Sequence, residues 1–221
     1  MTDRPKSRPA ASLPDFIPLF PLPGALLLPG GQLPLNIFEP RYLRMVDDAL
    51  GGARMIGMIQ PQDVEAGPAG PPLFDIGCAG RITSFAETGD GRYLITLTGV
   101  RRFRLAGEIA GDAPYRQGEI DWSAFEVDAH RDLSGDSVDR EEFIKAMRDY
   151  LTTEGLKTDW DAAASAPIDA LVVSLAMGCP FEPNEKQALL EAMTVADRAK
   201  CLMALMKISG AAEPDGDQRL Q

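Results

Sequence analysis

Between Phe16 and Phe38 the chain reads FIPLFPLPGALLLPGGQLPLNIF, a run of leucines cut repeatedly by proline and glycine. Proline lacks the backbone N–H and its ring collides with the carbonyl one turn back, so no long helix can pass through this segment. Short strands at a barrel rim or a sheet edge suit it, because there a missing donor can face solvent. Whatever the rest of the chain does, it must bury this apolar, proline-punctuated start.

The pattern then changes period. Pro40 stands where a first helical residue would, and Tyr42, Leu43, Val46, Ala49 and Leu50 recur at three- and four-residue spacing until Gly51-Gly52, which predicts a short amphipathic helix. Arg54 to Gln60 reads as a strand, and the Pro/Gly-rich segment from Pro61 to Pro72 as an exposed loop. Phe74 to Ala86 and Arg92 to Thr98 flank Thr88-Gly89-Asp90-Gly91, a hairpin turn signal. Val100 to Ile109 and Tyr115 to Val127 continue as strands, with glycine-containing breaks between.

After Val127 an acidic, turn-rich stretch (Asp128 to Asp136) leads into helical spacing. Phe143, Ile144, Met147, Tyr150 and Leu151 share one helix face, with Ser137 or Asp136 as the starting cap and Gly155 at the end. Pro167 to Met177 makes a second helix, stopped by Gly178 and Pro180; Asn184 with Gln187, and Thr194 with Asp197, resemble capping boxes for two more. Strands followed by helices predict an α+β chain with two segregated parts. The expected division is a disordered tail over 1–14, a β-rich barrel over 15–129, a helical bundle over 130–209 and a second disordered tail over 210–221.

Charge and cysteine usage narrow the function classes. Thirty-three acidic against 22 basic residues give a net charge of -11, whose field repels phosphate backbones and anionic lipid, so nucleic acid is not an expected partner. Arg101-Arg102-Phe103-Arg104 is the dense basic run, read as a solvated or ion-paired strand face. Three cysteines, Cys78, Cys179 and Cys201, with no signal peptide at the start, point to a reducing cytoplasm, and no apolar stretch is long enough to span a bilayer.

Catalytic patterns are not apparent. The single histidine, His130, falls in the acidic linker, a poor place for the base of a Ser-His-Asp relay. The cysteines form no close pair of the kind a structural zinc uses, and they read as inert core thiols. No Gly-Lys-Ser/Thr phosphate loop occurs; Gly77-Cys78-Ala79-Gly80-Arg81 is glycine-rich but sits in a strand pattern. Asp47-Asp48, Glu141-Glu142 and Asp159 with Asp161 read as solvated surface. Neither a cofactor nor a metal is expected.

Pro18-Leu-Phe-Pro-Leu-Pro-Gly-Ala-Leu-Leu-Leu-Pro-Gly30, followed by Leu33-Pro-Leu-Asn-Ile-Phe-Glu-Pro-Arg-Tyr42, resembles the opening signature of the Lon protease amino-terminal, substrate-binding domain family. Gly80-Arg81-Ile82, Asp90-Gly91-Arg92-Tyr93 and Gly99-Val-Arg-Arg-Phe-Arg104 are similar to that family's hairpin and its Gly-x-x-Arg-Phe strand. Glu185 to Glu191 and Arg198 match more loosely. The resemblance implies a PUA-like β pseudo-barrel joined to a helical bundle. A full Lon protease would continue into ATPase and peptidase modules, whereas this sequence ends at Gln221, so a stand-alone relative without those activities is expected.

What the resemblance implies about function is binding: a non-enzymatic, cytoplasmic module for unfolded or extended polypeptide, an adaptor in protein quality control working with an ATP-dependent protease or a chaperone. Self-association is compatible with it. A small-molecule or RNA binder is the alternative, since PUA-like barrels elsewhere bind RNA. An extended peptide needs an apolar groove or an open strand edge, which Leu26, Leu27, Leu28, Leu35 and Phe38 could supply, unless they form the barrel core. Glu39, Arg41 and Tyr42 are the candidate corner residues, with Arg102 as a candidate charge partner for the corner.

Overall fold

The computed structural model describes residues 13–62, 70–130 and 138–211. Most of each expected tail, most of the 61–72 loop, and most of the acidic linker lie outside the described residues; of the second tail, Gly210 and Ala211 belong to the last helix.

Among the described residues six strands and six α-helices follow in the order β1 (Phe16–Pro21), β2 (Gln32–Ile37), α1 (Pro40–Gly51), β3 (Met55–Pro61), β4 (Leu73–Glu87), β5 (Tyr93–Glu108), β6 (Gln117–Asp121), a 3-10 segment (Ser123–His130), then α2 (Arg140–Thr153), α3 (Trp160–Ser165), α4 (Ile168–Gly178), α5 (Pro183–Glu191) and α6 (Val195–Ala211). The α+β architecture is thus present, with α1 set among the strands and the other five helices after them.

The sheet closes on itself. β1 runs parallel to β3 and antiparallel to β6, β3 pairs with β4, β4 with β5, and β5 returns to β6, which makes a five-stranded barrel. β2 stays outside this ring and pairs only with the first half of β5, from Gln32 opposite Thr98 to Ile37 opposite Tyr93. β4 and β5, at 15 and 16 residues, are too long for the barrel. Their far ends, closed by the Thr88–Gly91 turn, project with β2 as a three-stranded ribbon. The ribbon is continuous sheet, so it presents two faces, a hairpin tip and one free edge.

Alternation sorts the side chains into two cores. Ile17, Leu19, Met55, Ile59, Ala79, Phe103 and Ile120 fill the barrel interior. There Gly77 is obligatory, since a Cβ on it would stand 2.4 Å from the Phe103 ring and 2.7 Å from the Met58 carbonyl. The intervening residues, including Phe20, Ile56, Met58, Ile76, Cys78, Ile82, Ile95 and Leu97, face outward and join α1 and the bundle in one continuous larger core. The two parts are therefore sequential in the chain but not segregated in space.

Several local expectations are corrected. Gly99 does not break a strand: β5 runs through it, because the Leu28 carbonyl lies where its Cβ would be, at 2.0 Å. The last strand ends at Asp121, and the chain turns into the 3-10 segment where a strand to Val127 was expected. Asp139, not Ser137 or Asp136, caps α2, accepting the Glu142 N–H at 3.0 Å. At α5 the box is Glu182 with Glu185 instead of Asn184 with Gln187, the Glu185 carboxylate accepting the Glu182 N–H at 2.9 Å. Thr194 does cap α6, its hydroxyl accepting the Asp197 N–H at 3.0 Å. The short helix α3, capped by Asp159, had no sequence expectation.

Candidate binding surface and the seam behind it

The residues singled out in the sequence separate into three places. Leu26, Leu27 and Leu28 are buried in the larger core, so they are not a groove. Tyr42 is buried too: its ring packs 4.3 Å from that of Phe20, with the Arg41 guanidinium 4.5 Å above it, and burial raises its pKa. Leu35 is half-buried on the ribbon face that the core covers. Glu39 and Arg41 pair with each other at 2.8 Å in the open, at the corner between β2 and α1. Phe38, beside them, is 63% exposed.

Arg102 does not pair with this corner's charges. It is 1% exposed and paired with Asp128, so of the two readings of its tetrad, solvated or ion-paired, the ion-paired one holds for it. Strand alternation directs Phe103 into the barrel and Arg102 outward, against the bundle. There its Nε and Nη2 grip both oxygens of Asp128 at 2.9 and 2.8 Å, while Nη1 and Nη2 donate to the carbonyls of Leu190, Ala192 and Met193. Those carbonyls are the negative end of α5, which favours a cation. Arg198 of α6 joins from the other side, donating to Leu189 and Ala192; burial and the neighbouring Arg102 push its pKa down to about 10.

The other end of α5 is held as closely. Gln60 of β3 donates to the Pro183 carbonyl at 2.9 Å and accepts the Gly24 N–H at 3.1 Å, Lys186 donates to the Gly24 carbonyl at 2.8 Å, and Gln187 donates to the Ile76 carbonyl at 3.2 Å. Gln60, Arg102, Lys186, Gln187 and Arg198 are the buried polar residues among those described, and all five bond to α5 or belong to it. Burial lowers the Lys186 pKa. This seam fixes the barrel on the bundle and is no solvent-facing site.

Openness belongs to the ribbon. Gly99 donates to the Gly31 carbonyl, and counting alternately from that bonded pair turns the backbone groups of Leu33, Leu35 and Ile37 toward β5. Those of Gln32, Pro34 and Asn36 therefore point to the free edge, where Pro34 removes the middle donor. Leu94 and Phe85 are 46% and 41% exposed on opposite ribbon faces. Phe85 is partnered by Tyr93 at 5.0 Å; Phe38 has the Arg92 guanidinium 6.0 Å away. Leu94 and Phe85 were not singled out in the sequence, although Leu94 is the apolar residue that falls out of phase with Tyr93, Ile95 and Leu97.

Chemistry has few footholds elsewhere. Burial raises the pKa of all three thiols, that of Cys179 to about 11, which keeps them protonated at neutral pH. Among the described residues no group of three or more His, Cys, Asp or Glu could hold a metal ion, and no helix is long and apolar enough to cross a membrane. Two shallow grooves of about 370 and 420 Å³ flank α2, one against Met206 and Lys207, the other against Ala164.

The structure is a closed barrel that carries a projecting, half-bare ribbon and is keyed to a helical bundle. The chain belongs to the LON substrate-binding domain family: the model described as the ATP-dependent protease La (LON) substrate-binding domain matches residues 17–207. It is 26% identical over 208 residues to Lon protease 2 of Myxococcus xanthus, covering 88% of this chain and 24% of that protein. To Lon protease 2 of Sorangium cellulosum it is 32% identical over 124 residues, 54% of this chain and 15% of that one. The chain thus spans 24% and 23% of the length of the first two curated relatives.

Solved structures agree. A Lon N-terminal domain protein from Xanthomonas campestris matches with a TM-score of 0.61 at 25% identity, over 86% of this chain and 97% of that one. The N-terminal domain of Mycobacterium avium complex Lon protease matches in fold, with a TM-score of 0.62 at 16% identity, over 87% and 98%.

Proposed function

We propose that this chain is a non-catalytic protein-binding module that engages unfolded or extended polypeptide and serves as an adaptor to an ATP-dependent protease or chaperone in the cytoplasm. The observation that carries the reading is the ribbon: β2 has a free edge, one face is uncovered by any described element, and Phe38 and Leu94 stand exposed on it. Extended chains dock on such surfaces through backbone pairing and side-chain pockets. The family's substrate-binding description supports the same role. The corner of Phe38, Glu39 and Arg41 would border the docked chain, while Tyr42 and Arg102 would hold the scaffold beneath.

Fluorescein-labelled β-casein, a polypeptide without a stable fold, tests this by anisotropy. Saturable binding is expected, weakened roughly tenfold in Phe38→Ser/Leu94→Ser, the about 1.4 kcal/mol typical of losing a buried apolar anchor. Absence of binding, or binding indifferent to these substitutions, would overturn the proposal.

A further inference from the structure

We infer that the bare ribbon face selects extended segments that place a carboxylate four residues from a large apolar side chain. The inference rests on the polypeptide-binding reading above and adds a sequence preference to it.

The pairing registers lay out the face row by row. Arg81 lies opposite Thr98, which lies opposite Gln32; Thr96 with Pro34 forms the next row on the same side, and Ala86, Leu94 and Asn36 the one after. The Arg81 row and the Leu94 row are four residues apart along β5, about 13 Å at ~3.3 Å per residue. An extended ligand has the same rise, so its own residues four apart match this span and share a face.

The two ends differ in chemistry. Arg81 is exposed; its Nη1 donates to the Ala53 carbonyl at 3.1 Å, and among the described residues no carboxylate pairs with it. Arg54, whose carbonyl accepts the Ile82 N–H at 2.8 Å, is likewise without a carboxylate partner among the described residues. The other cations around the ribbon and its corner are already neutralised, Arg92 by Asp90, Arg41 by Glu39 and Arg44 by Asp48. An exposed arginine without a carboxylate partner is notable in a chain of net charge -11.

Between the ends the face is hydroxylic. Thr83 shares a 2.9 Å hydrogen bond with Thr98 and donates to the Thr96 carbonyl at 3.2 Å. At the far end Leu94 and Phe38 are apolar and exposed. No acidic residue occupies these rows; Glu87 pairs with Tyr93, in a row of the opposite face. The face therefore runs from cationic through polar to apolar, complementary to a ligand with an acid at one end and a leucine or phenylalanine at the other.

The test uses two labelled nonapeptides with a serine and threonine background, one carrying glutamate and leucine four residues apart, the other lysine and leucine at the same positions. The full chain should bind the glutamate peptide about fivefold more tightly at low salt, a typical scale for one exposed ion pair with good geometry. The preference should fall in Arg81→Gln and persist in Arg81→Lys, which keeps the charge. Equal binding of the two peptides, or a preference unchanged in Arg81→Gln, overturns the inference. If β-casein still binds in that case, the broader polypeptide-binding reading stands; loss of casein binding as well would remove both.

Discussion

All five N–H groups of Arg102 are used: one on Nε, two on Nη1 and two on Nη2. Its guanidinium also lies 4.3 Å from the Phe125 ring centroid. A planar fork with five fixed donors can bridge a carboxylate and three carbonyls at once, which an ammonium cannot. Replacing it with Met strands the buried Asp128 carboxylate and should cost about 3 to 5 kcal/mol, read from urea unfolding. Arg102→Lys should recover little of that, whereas Arg102→Met/Asp128→Leu should recover a substantial part by removing both charges. None of this was legible in Arg-Arg-Phe-Arg, because the partners come from 26 and 88 to 91 residues away.

A different residue-scale effect concerns acid. Hydrogen bonds from Arg44 and Tyr115 hold the Asp48 carboxyl below the ordinary aspartate range and tie the β5–β6 connection to α1. A carboxyl depressed in the folded state binds protons more weakly than in the unfolded chain. Its stabilisation is therefore present above the unfolded value of about 3.9 and is lost as pH falls through the folded value. Asp48→Asn should make the drop in Tm between pH 5 and pH 2.5 shallower; an unchanged slope would remove Asp48 from the acid response.

At the scale of elements, the proline in β2 acts on association more than on folding. Pro34 sits at the middle of the free edge with its nitrogen turned away from β5, so it interrupts the row of donors that another strand would use. Pro34→Val completes that row without disturbing the β5 side. Sedimentation velocity should then show concentration-dependent dimers or larger species where the parent chain shows fewer. β5 gives the opposite case, a glycine whose role the sequence concealed. Gly99 resembled a strand break, yet it marks the point where the Leu28 carbonyl crosses the strand. Gly99→Ala must push that carbonyl or the strand aside and should lose about 1 to 3 kcal/mol, the scale of an overpacked core.

The elements themselves were largely readable, for physical reasons that also explain the misses. The helix periods in α1 and α2 are imposed by one-sided burial, and a one-sided pattern is visible in sequence; β3, buried on both faces, shows instead as a short unbroken apolar run. Caps were misplaced by a few residues at α2 and α5, because several acidic or polar residues stand near each helix start and only the tertiary path of the chain decides among them. The ribbon was invisible as such. Its length follows from two long strands and a sixth that joins outside the ring, which is a matter of pairing and not of local propensity.

For the whole molecule the question is whether the expected boundary near residue 130 separates two folding units. The sequence places strands before it and helices after it, but the larger core takes Phe20, Ile56, Met58, Ile76 and Cys78 from the barrel's outer wall together with Phe143, Val172, Leu189 and Leu202 from the helices. The polar seam adds Gln60 and Arg102, whose hydrogen-bond partners on α5 would be gone without the bundle. A barrel cut free would expose that apolar wall and leave a buried arginine short of three carbonyls, while its own interior core is small. The full chain should accordingly melt in one transition, with calorimetric and van't Hoff enthalpies in agreement. A fragment ending at His130 should bind a hydrophobic dye and show no cooperative unfolding. A fragment that instead melts sharply on its own would show that the seam docks two preformed domains, and Arg102→Met would then split the full chain's melting into two steps.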